Sequence, residues 1–492
     1  MQINPLTAID FYKSGHRKQY PENTSMVYSN FTPRSTKLSN LPSDSDKGIV
    51  FFGLQYFIKD FLIDSFNNNF FSKPKAEVVA AYKRRMDTSL GKDSVPVDHI
   101  EALHDLGYLP IEIRALAEGT VVSAKIPMLT IHNTKAEFYW LTNYLETILS
   151  TYLWKPCTSA TTARYYRQLL ESYAADTGSP EWFVDFQAHD FSFRGMSSLQ
   201  DAMTSGAAHL LYFRGTDTVP AIDFLEAFYG ADAEKELIGG SVPATEHSVM
   251  CMGGKETELE TFERLITEVY PKGIVSVVSD TWDFWSVVTD TMTKLKDKVM
   301  ARDGKLVIRP DSGDPVDIIC GLPDRDNQPD RMPDEKGAVE CLWDVFGGTI
   351  NAKGFKELDS HIGLIYGDSI TPQRAKEILE RLKAKGFASS NIVFGVGSFT
   401  YEYVTRDTYG FAVKSTYGIV NGKGVEIFKE PKTDNGIKNS AKGLLRVDRV
   451  DGELVLTDQQ SSIDGGELKV VFKDGKLLID QDLKTIRDVA KS

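Results

Sequence analysis

The middle of the chain repeats one pattern that limits its fold: a short apolar segment ends in polar residues and is followed by a helical segment. GIVSVVSD precedes TWDFWSVVTDTMTKL, KLVIRPDSG precedes PVDIICGL, and IGLIYGDS precedes TPQRAKEILERLKAKGF. FVDFQAHDFSFRG comes before this run, and NIVFGVGS follows it. Repeated strand-then-helix order predicts an α/β protein with parallel strands and helices outside them.

The ends of these strands carry charged residues and glycines. In a barrel of parallel strands the active site lies at the carboxyl ends, and an open doubly wound sheet would bring the same residues to one edge. We therefore expect one site in either topology, formed by Arg194, Asp280, Arg309, Asp311, Asp368 and Gly397.

The two ends of the chain follow other patterns. LPIEIRALAEGTVV and IPMLTIHN are strand-like, and residues 138–153 have apolar side chains at helical spacing, which predicts a helix with one buried face. Near the end, Asn-Gly or Asp-Gly pairs at 421, 451 and 474 each separate two alternating apolar runs, which predicts hairpins. We expect a mixed α+β region at 1–150, an α/β barrel at 151–400 and a β-rich region at 401–492 that packs with the first strands.

Charge, cysteine content and hydropathy limit the possible binding partners and the cellular location of the protein. The chain has 56 Lys and Arg against 69 Asp and Glu, a net charge of −13, which argues against binding to nucleic acid or to anionic membranes. An anionic substrate would need a local basic cluster. The 4 cysteines form no C-x-x-C pair, no apolar run reaches the length of a membrane span, and the start lacks a signal-peptide pattern. These features predict a cytoplasmic protein.

Two strand ends have the residues of a phosphate and sugar site. In VIRPDSGDP, Arg309 and Asp311 are two apart and share a face, so one can hold a phosphate while the other holds sugar hydroxyls. A capped helix with a structural ion pair is the alternative. The glycines of IYGDS and FGVGS would let a phosphate approach the backbone, although tight turns explain many such glycines.

A histidine and several aromatic residues are further candidates. His247 can act in acid-base or nucleophilic chemistry, or can be a structural residue. Phe191 and Phe193 flank the strand end that carries Arg194, and Tyr12 lies in a polar segment. A flat ligand ring could stack on these side chains, but core packing is the commoner role of a Phe. The 8 histidines form no H-E-x-x-H motif, so a zinc site is not indicated.

Several segments together resemble the nicotinamide phosphoribosyltransferase family. They run in family order along most of the chain: DFYKSGHRKQYP, FFGLQY, LPIEI, YWLTNYLETIL, HDFSFRG, GTDTV, SVPATEHS, VSVVSD, IRPDSGDP and TRD. The resemblance implies a type II phosphoribosyltransferase, with an irregular (β/α) barrel beside a mostly antiparallel β domain built from N- and C-terminal segments. It also implies a homodimer whose active sites lie at the subunit interface.

The resemblance implies transfer of a phosphoribosyl group from 5-phosphoribosyl-1-diphosphate to nicotinamide, which yields nicotinamide mononucleotide and diphosphate for NAD synthesis. Phe191 and the Tyr12 of a second copy would sandwich the nicotinamide ring, and Asp217 would accept a hydrogen bond from its carboxamide. A carboxylate at that position favours an amide over the carboxylate of nicotinate.

The same resemblance assigns the remaining contacts. Arg309 would hold phosphate and Asp311 the ribose hydroxyls. Further contacts to ribose, phosphate and diphosphate would come from Gly367, Asp368, Gly397, Ser398, Arg194, His247, Arg34, Arg406, Lys414 and Lys429. Asp280 would support Mg²⁺ and its waters without direct ligation of the metal. ATP would phosphorylate His247 and stimulate the reaction.

The sequence departs from the family pattern at two turns, which read Gly367-Asp368-Ser369 and Gly397-Ser398. Two alternatives stay open. Nicotinate phosphoribosyltransferase shares the reaction, but Asp217 argues against it. A non-catalytic binding or signalling member of the family is less compatible with intact His247, Arg309 and Asp311.

Overall fold

A computed structural model describes residues 3–326, 328–428 and 441–491 of the 492-residue chain. Its elements in the first third are strands β1 (Thr24–Thr32), β2 (Ile49–Val50), β3 (Ile111–Ala115), β4 (Val121–Val122) and β5 (Leu129–Asn133), and helices α1 (His16–Gln19), α2 (Leu54–Tyr56), α3 (Lys75–Leu90), α4 (Asp98–Leu106), α5 (Leu141–Tyr144) and α6 (Glu146–Thr177). Two π-helical segments, Phe57–Ser65 and Asn67–Phe71, follow α2.

The middle third contains strands β6 (Ala188–Asp190), β7 (Gly215–Thr216), β8 (Lys272–Val278), β9 (Asp303–Arg309), β10 (Gly348–Ile350), β11 (Lys356–Leu358), β12 (Ile362–Tyr366) and β13 (Val393–Val396). Its helices are α7 (Val184–Gln187), α8 (Leu199–His209), α9 (Val219–Tyr229), α10 (His247–Cys251), α11 (Glu258–Arg264), α12 (Phe284–Ser286), α13 (Met292–Met300), α14 (Pro315–Cys320), α15 (Pro333–Lys336), α16 (Ala338–Phe346), α17 (Pro372–Ala384) and α18 (Ser398–Tyr401).

The last part contains strands β14 (Ala412–Val420), β15 (Lys423–Glu426), β16 (Leu444–Val450), β17 (Glu453–Gln460), β18 (Lys469–Lys473) and β19 (Lys476–Leu477), and helix α19 (Leu483–Lys491). Turns of 3₁₀ helix add Phe11–Gly15, Phe193–Gly195 and Arg406–Thr408.

The N- and C-terminal strands share one antiparallel sheet. Among the described residues this sheet has the strand order β15-β14-β1-β5-β3-β18-β19. The three predicted hairpins are present, as β14–β15, β16–β17 and β18–β19. Both residues of the first turn, Asn421 and Gly422, have positive φ angles of 53° and 72°, the conformation that a tight two-residue hairpin requires. The predicted β domain is therefore confirmed.

The central strands form the predicted parallel sheet, in the order β7-β6-β13-β12-β9-β8 over the described part of the chain. Residues 240–244 connect its two edges: Gly240 forms a parallel bridge with Gly215 on one side, and Ala244 forms one with Ser276 on the other. The sheet thus closes into an irregular (β/α) barrel, as the family resemblance implied.

Two predicted segments differ from the structure. In FVDFQAHD only the last three residues form strand, because Val184–Gln187 is a helix. The helix predicted at 138–153 is interrupted: Ala136–Phe138 is a 3₁₀ turn, α5 follows, and the continuous helix begins at Glu146 and runs to Thr177. Its predicted apolar face is nonetheless buried, since Leu149 and Leu153 are at most 1% exposed.

Helix α6 connects the two parts of the molecule. Leu149, Leu153 and Cys157 belong to the apolar core under the antiparallel sheet, whereas residues from Ala160 onward belong to the core of the barrel. The boundary expected at residue 150 therefore falls inside one helix. Helix α19, at the end of the chain, also packs into the barrel core. No helix in the described ranges is long and apolar enough to cross a membrane.

Candidate active site

A cavity of about 1320 Å³ opens at the carboxyl ends of the barrel strands. Its wall contains residues that follow β6, β7, β9, β12 and β13, together with the start of α10. The sequence-predicted residues in this wall are Phe191, Arg194, Asp217, His247, Arg309, Asp311, Gly367, Asp368, Gly397 and Ser398. The fold thus brings most of the candidate residues together from points more than 200 positions apart in the chain.

Asp280 lies behind this wall and connects His247 to the turn after β9. Its Oδ1 is 3.2 Å from Nε2 of His247. Its Oδ2 accepts hydrogen bonds from the backbone N–H of Asp311 at 3.0 Å and from the hydroxyl of Ser312 at 2.6 Å. Burial acts to raise the pKa of Asp280, but these donors and the nearby histidine lower it overall. The carboxylate therefore stays ionised and positions both groups.

Arg309 and Asp311 lie side by side in the cavity. Nη2 of Arg309 donates to the carbonyl of Thr245 at 2.8 Å, and its Nε is 3.8 Å from Oδ1 of Asp311. Within the described residues, that buried Nε has no hydrogen-bond partner. Burial raises the pKa of Asp311, and the negative charge of Asp280 adds to this effect while Arg309 opposes it.

The Asp311 carboxylate requires a glycine opposite it. A Cβ atom at Gly367, directly after β12, would overlap with Oδ1 of Asp311 and would lie 3.7 Å from Cδ of Arg309. Any side chain at 367 would therefore displace the acidic group. This packing explains the glycine of IYGDS without reference to backbone conformation.

Phe191 and Asp217 form a second, aromatic and acidic part of the cavity. The ring of Phe191 packs on Gly395 of β13, where a Cβ would lie 2.5 Å from Cδ2 of the ring. Oδ1 of Asp217 accepts from Nε2 of His189 at 2.9 Å and from the hydroxyl of Ser241 at 2.5 Å. Burial acts to raise the pKa of Asp217, but these two hydrogen bonds lower it overall.

The two turns that depart from the family pattern keep tight geometry. Ser369 has a φ angle of 56°, in the left-handed region that favours glycine, and its hydroxyl donates to Asp368 at 2.9 Å. Ser398 begins the short helix α18 and packs on Gly195, where a Cβ would overlap with its side chain. Serine thus occupies both positions with a distinct local contact.

Several predicted residues lie outside the cavity of this chain. Tyr12 is 58% exposed on the turn Phe11–Gly15. Arg34 donates from Nε to the carbonyl of Gly410 at 2.8 Å, Arg406 lies in the turn before β14, and Lys414 lies in β14 opposite Asn30. These three basic residues gather around the β1–β14 pair. Lys429 lies outside the described residues.

Other residues support the site although the sequence did not single them out. Ser241 and Glu246 line the cavity, where Ser241 donates to Asp217 and Glu246 accepts from Ser248 beside His247. His189 and Ser312 do not line it, but they bind Asp217 and Asp280. The sequence signal for them is weak: His189 and Ser241 are only the first residues of HDFSFRG and SVPATEHS, whose aromatic, arginine and histidine residues are the stronger candidates.

Comparison with known proteins agrees with this architecture. The sequence model of the nicotinate phosphoribosyltransferase (NAPRTase) family matches residues 186–476, and the model of the N-terminal domain of nicotinamide phosphoribosyltransferase matches residues 4–113. Among solved structures, nicotinate-nucleotide pyrophosphorylase from Pyrococcus furiosus aligns with a TM-score of 0.57 at 15% identity, over 99% of this chain and 95% of its own. Human nicotinic acid phosphoribosyltransferase aligns with a TM-score of 0.51 at 14% identity, over 98% and 92%. At such identities the structures support the fold alone.

Sequence relatives are much closer. Nicotinamide phosphoribosyltransferase of Acinetobacter baylyi is 58% identical over 494 aligned residues, which cover 99% of this chain and 97% of the relative. The enzymes of that name from Mycoplasma pneumoniae and Xanthomonas campestris pv. campestris are 36% and 34% identical, over 88% and 98% of this chain and 93% and 97% of their own lengths. Identity of this extent, together with the two matching family models, shows that the chain belongs to the nicotinamide phosphoribosyltransferase family.

Proposed function

We propose that this chain transfers the 5-phosphoribosyl group of 5-phosphoribosyl-1-diphosphate to nicotinamide and releases nicotinamide mononucleotide and diphosphate, a step of NAD biosynthesis and salvage. One observation supports this most strongly. A single cavity contains an aromatic ring beside an ionised carboxylate, Phe191 and Asp217, and also the arginine and aspartate pair Arg309 and Asp311. The first pair suits a flat amide, and the second suits a ribose phosphate.

The reaction forms one bond and breaks one bond at the anomeric carbon of the ribose. The pyridine nitrogen of nicotinamide attacks that carbon, and the electron pair of the breaking carbon–oxygen bond leaves with the diphosphate. Positive charge therefore builds on the sugar and negative charge on the leaving group. Asp311 can hold the ribose hydroxyls and oppose the positive charge, while Arg309 and Arg194 hold phosphate oxygens.

At the acceptor end, Phe191 offers a flat surface to the pyridine ring, and such aromatic pairs contribute about 0.5–1.5 kcal/mol beyond area burial. Asp217 would accept a hydrogen bond from the carboxamide nitrogen. A nicotinate carboxylate at the same place would meet a like charge, because the donors His189 and Ser241 favour the ionised form of Asp217. The site therefore favours nicotinamide.

The acidic side of the cavity suits Mg²⁺ that binds together with the diphosphate. Within the described residues, no group of three His, Cys, Asp or Glu side chains could hold a metal ion by itself. The negative charges of Asp280 and Asp368 nevertheless raise the pKa of Asp311, so these three carboxylates are close together. A cation would balance the charge on this acidic side of the site. Mg²⁺, when bound through the diphosphate and water, neutralises charge on the leaving group.

We further propose that ATP phosphorylates His247. Because Asp280 can only accept, Nε2 of His247 carries the hydrogen, and Nδ1 presents a lone pair. Attack of Nδ1 on the terminal phosphorus of ATP breaks the bond to the bridging oxygen, and ADP leaves. The ring is then positively charged, and Asp280 holds its Nε2–H. The side chain of His247 is 49% exposed, so a nucleotide can reach it.

We also propose that a second copy of the chain completes the site. Tyr12, Arg34, Arg406 and Lys414 do not line the cavity of their own chain, although the family resemblance gives them substrate contacts. Exposed aromatic side chains lie beside the cavity: Phe399, which lines it, stacks on Tyr403 with the ring centroids 4.7 Å apart, and the two residues are 47% and 72% exposed. Sedimentation at increasing protein concentration tests this proposal, and a monomer with full activity would overturn it.

The acceptor assay tests the proposed function. Purified protein is incubated with 5-phosphoribosyl-1-diphosphate, Mg²⁺ and either nicotinamide or nicotinate, and the mononucleotide product is identified by mass spectrometry. We expect efficient formation of nicotinamide mononucleotide and little or no nicotinate product. A clear preference for nicotinate would support the alternative, nicotinate phosphoribosyltransferase, which the NAPRTase family match raises. If neither mononucleotide forms, the protein is non-catalytic under these conditions.

A further inference from the structure

We propose that His189 is a specificity-determining positioning residue: it holds Asp217 so that one carboxylate oxygen is fixed within the protein and the other is presented to the carboxamide of the acceptor. This inference rests on the proposed function and deepens it. His189 need not contact the reacting atoms. Its role is to act through Asp217, which would contact the substrate.

The hydrogen bonds around Asp217 are one-sided. In the described part of the chain, both side-chain donors to this residue, Nε2 of His189 and the hydroxyl of Ser241, bind the same oxygen, Oδ1. The backbone N–H of Asp217 is also fixed, since it donates to the carbonyl of Asp190 at 2.9 Å. Oδ2 therefore remains for a ligand, in a side chain that is 44% exposed in the cavity wall.

His189 is itself held in one place. Its side chain is only 12% exposed, and its ring centroid is 4.8 Å from that of Phe191, the proposed stacking surface. It also fills the space beside Gly215, where a Cβ would lie 2.7 Å from Nδ1 of the imidazole. The one imidazole thus contacts both acceptor-recognition residues, and the glycine opposite it sets its position.

The two donors come from different elements, and this makes the arrangement specific. His189 lies in β6, whereas Ser241 lies in the 240–244 segment that closes the barrel between β7 and β8. Two donors on one oxygen stabilise the charged carboxylate and prevent its rotation. A protonated Asp217 could instead donate a hydrogen bond to a nicotinate carboxylate. A freely rotating Asp217 could turn away from it.

The test compares acceptor selectivity in variants of position 189. His189→Gln keeps an amide N–H near the place of Nε2, whereas His189→Leu has no donor. We expect the ratio of kcat/KM for nicotinamide to kcat/KM for nicotinate to fall at least tenfold in His189→Leu, mainly through a higher KM for nicotinamide. We expect His189→Gln to recover most of that ratio.

Two further variants separate positioning from damage to the fold. Gly215→Ala should displace the imidazole and lower the same ratio, although neither recognition residue is changed. His361→Leu is the matched control, because His361 also pairs with an aspartate, Asp359 at 2.7 Å, but lies at the amino end of β12, away from the cavity. It should leave the ratio unchanged.

The outcomes are distinct. An unchanged ratio in a folded His189→Leu protein would overturn the inference, and so would an equal loss in His189→Gln and His189→Leu. Thermal melting of each variant identifies proteins that fail to fold. If His189→Leu does not fold, the selectivity ratio of Gly215→Ala tests the inference instead, and an unchanged ratio would overturn it. If the unmodified protein forms no nicotinamide mononucleotide, the proposed function fails first, and the inference fails with it.

Discussion

His247 and Asp280 form an imidazole–carboxylate pair at the mouth of the barrel, with Nε2 of the histidine 3.2 Å from Oδ1 of the aspartate. The same carboxylate holds the backbone N–H of Asp311 through its other oxygen, at 3.0 Å. The residue proposed to receive a phosphoryl group and the residue proposed to hold the ribose are therefore positioned by one buried acid. This connection would couple the proposed phosphorylation of His247 to sugar binding.

The first prediction concerns His247. His247→Ala should abolish the increase in rate that ATP produces, because no nucleophilic nitrogen then faces the nucleotide. The measurement is the rate of nicotinamide mononucleotide formation with and without ATP, with a non-hydrolysable ATP analogue as control. Full stimulation of His247→Ala by ATP would show that the phosphorylated group lies elsewhere.

The second prediction concerns pH. The pKa of Asp311 is raised by burial, so this residue gains a proton at a higher pH than an ordinary aspartate does. The pKa of Asp217 is lowered by His189 and Ser241 in spite of its burial, so it stays ionised to a lower pH. As pH falls, binding of 5-phosphoribosyl-1-diphosphate should therefore weaken before binding of nicotinamide does.

The check is the pH dependence of kcat/KM for each substrate at saturating Mg²⁺. The acidic limb should lie at higher pH for 5-phosphoribosyl-1-diphosphate than for nicotinamide. Asp311→Asn should change the limb for 5-phosphoribosyl-1-diphosphate, leaving only the titration of the substrate's own phosphates. Coincident limbs, or the reverse order, would contradict the assignment of these two carboxylates.

The third prediction uses two glycines that support different halves of the site. Gly395→Ala should push the ring of Phe191 and raise the KM for nicotinamide, whereas Gly367→Ala should displace Asp311 and raise the KM for the phosphoribosyl donor. We expect changes of about tenfold or more, since a contact displaced by even a fraction of an ångström weakens positioning. Each variant is the control for the other, and an identical effect on both substrates would indicate general damage instead.

The fourth prediction concerns stability and Glu118, a buried carboxylate outside the cavity. It accepts from the backbone N–H groups of Gly53 and Gln55 at 2.7 and 2.5 Å and from the hydroxyl of Tyr229 at 3.0 Å. Burial raises its pKa to about 7, above its ordinary value of 4.5. The folded protein therefore binds this proton more tightly than the unfolded chain does, and its contribution to stability is lost as pH rises through about 7.

Urea unfolding at pH 5 and pH 8 measures this effect. Unmodified protein should lose about 3 kcal/mol of unfolding free energy relative to Glu118→Gln between the two pH values. Glu112→Gln is the control: Glu112 is also buried, but Lys473 and Arg114 lower its pKa, so its difference from unmodified protein should change little over this range. No pH-dependent difference for Glu118→Gln would show that this carboxylate stays ionised in the fold.

Local sequence signals predicted much of the fold. The hairpin at Asn421-Gly422 could be predicted because both residues readily adopt positive φ angles, and the parallel strands could be predicted because a strand-then-helix repeat allows few other arrangements. The closure of the barrel by residues 240–244 could not, because two isolated bridges hold this segment and it has no run of apolar residues to mark it.

In the site, too, some residues could be predicted from the sequence and others could not. Arg309 and Asp311 could be found because they stand at the end of an apolar strand, and His247 could be found because it lies in the recognisable segment SVPATEHS. The contact from His189 to Asp217 could not, because it joins residues 28 positions apart through the register of β6 and β7, and sequence spacing does not reveal that pairing. Tyr12 and Arg34 would reach a cavity only in the proposed assembly with a second copy, which no local pattern encodes.

A crystal structure with bound nicotinamide would show directly how the chain recognises its acceptor. We expect the pyridine ring to stack on Phe191, with the Tyr12 of a second copy on its other face, and the carboxamide nitrogen to lie within hydrogen-bond distance of Asp217. A ring bound elsewhere, or a carboxamide that faces away from Asp217, would contradict the proposed basis of acceptor recognition.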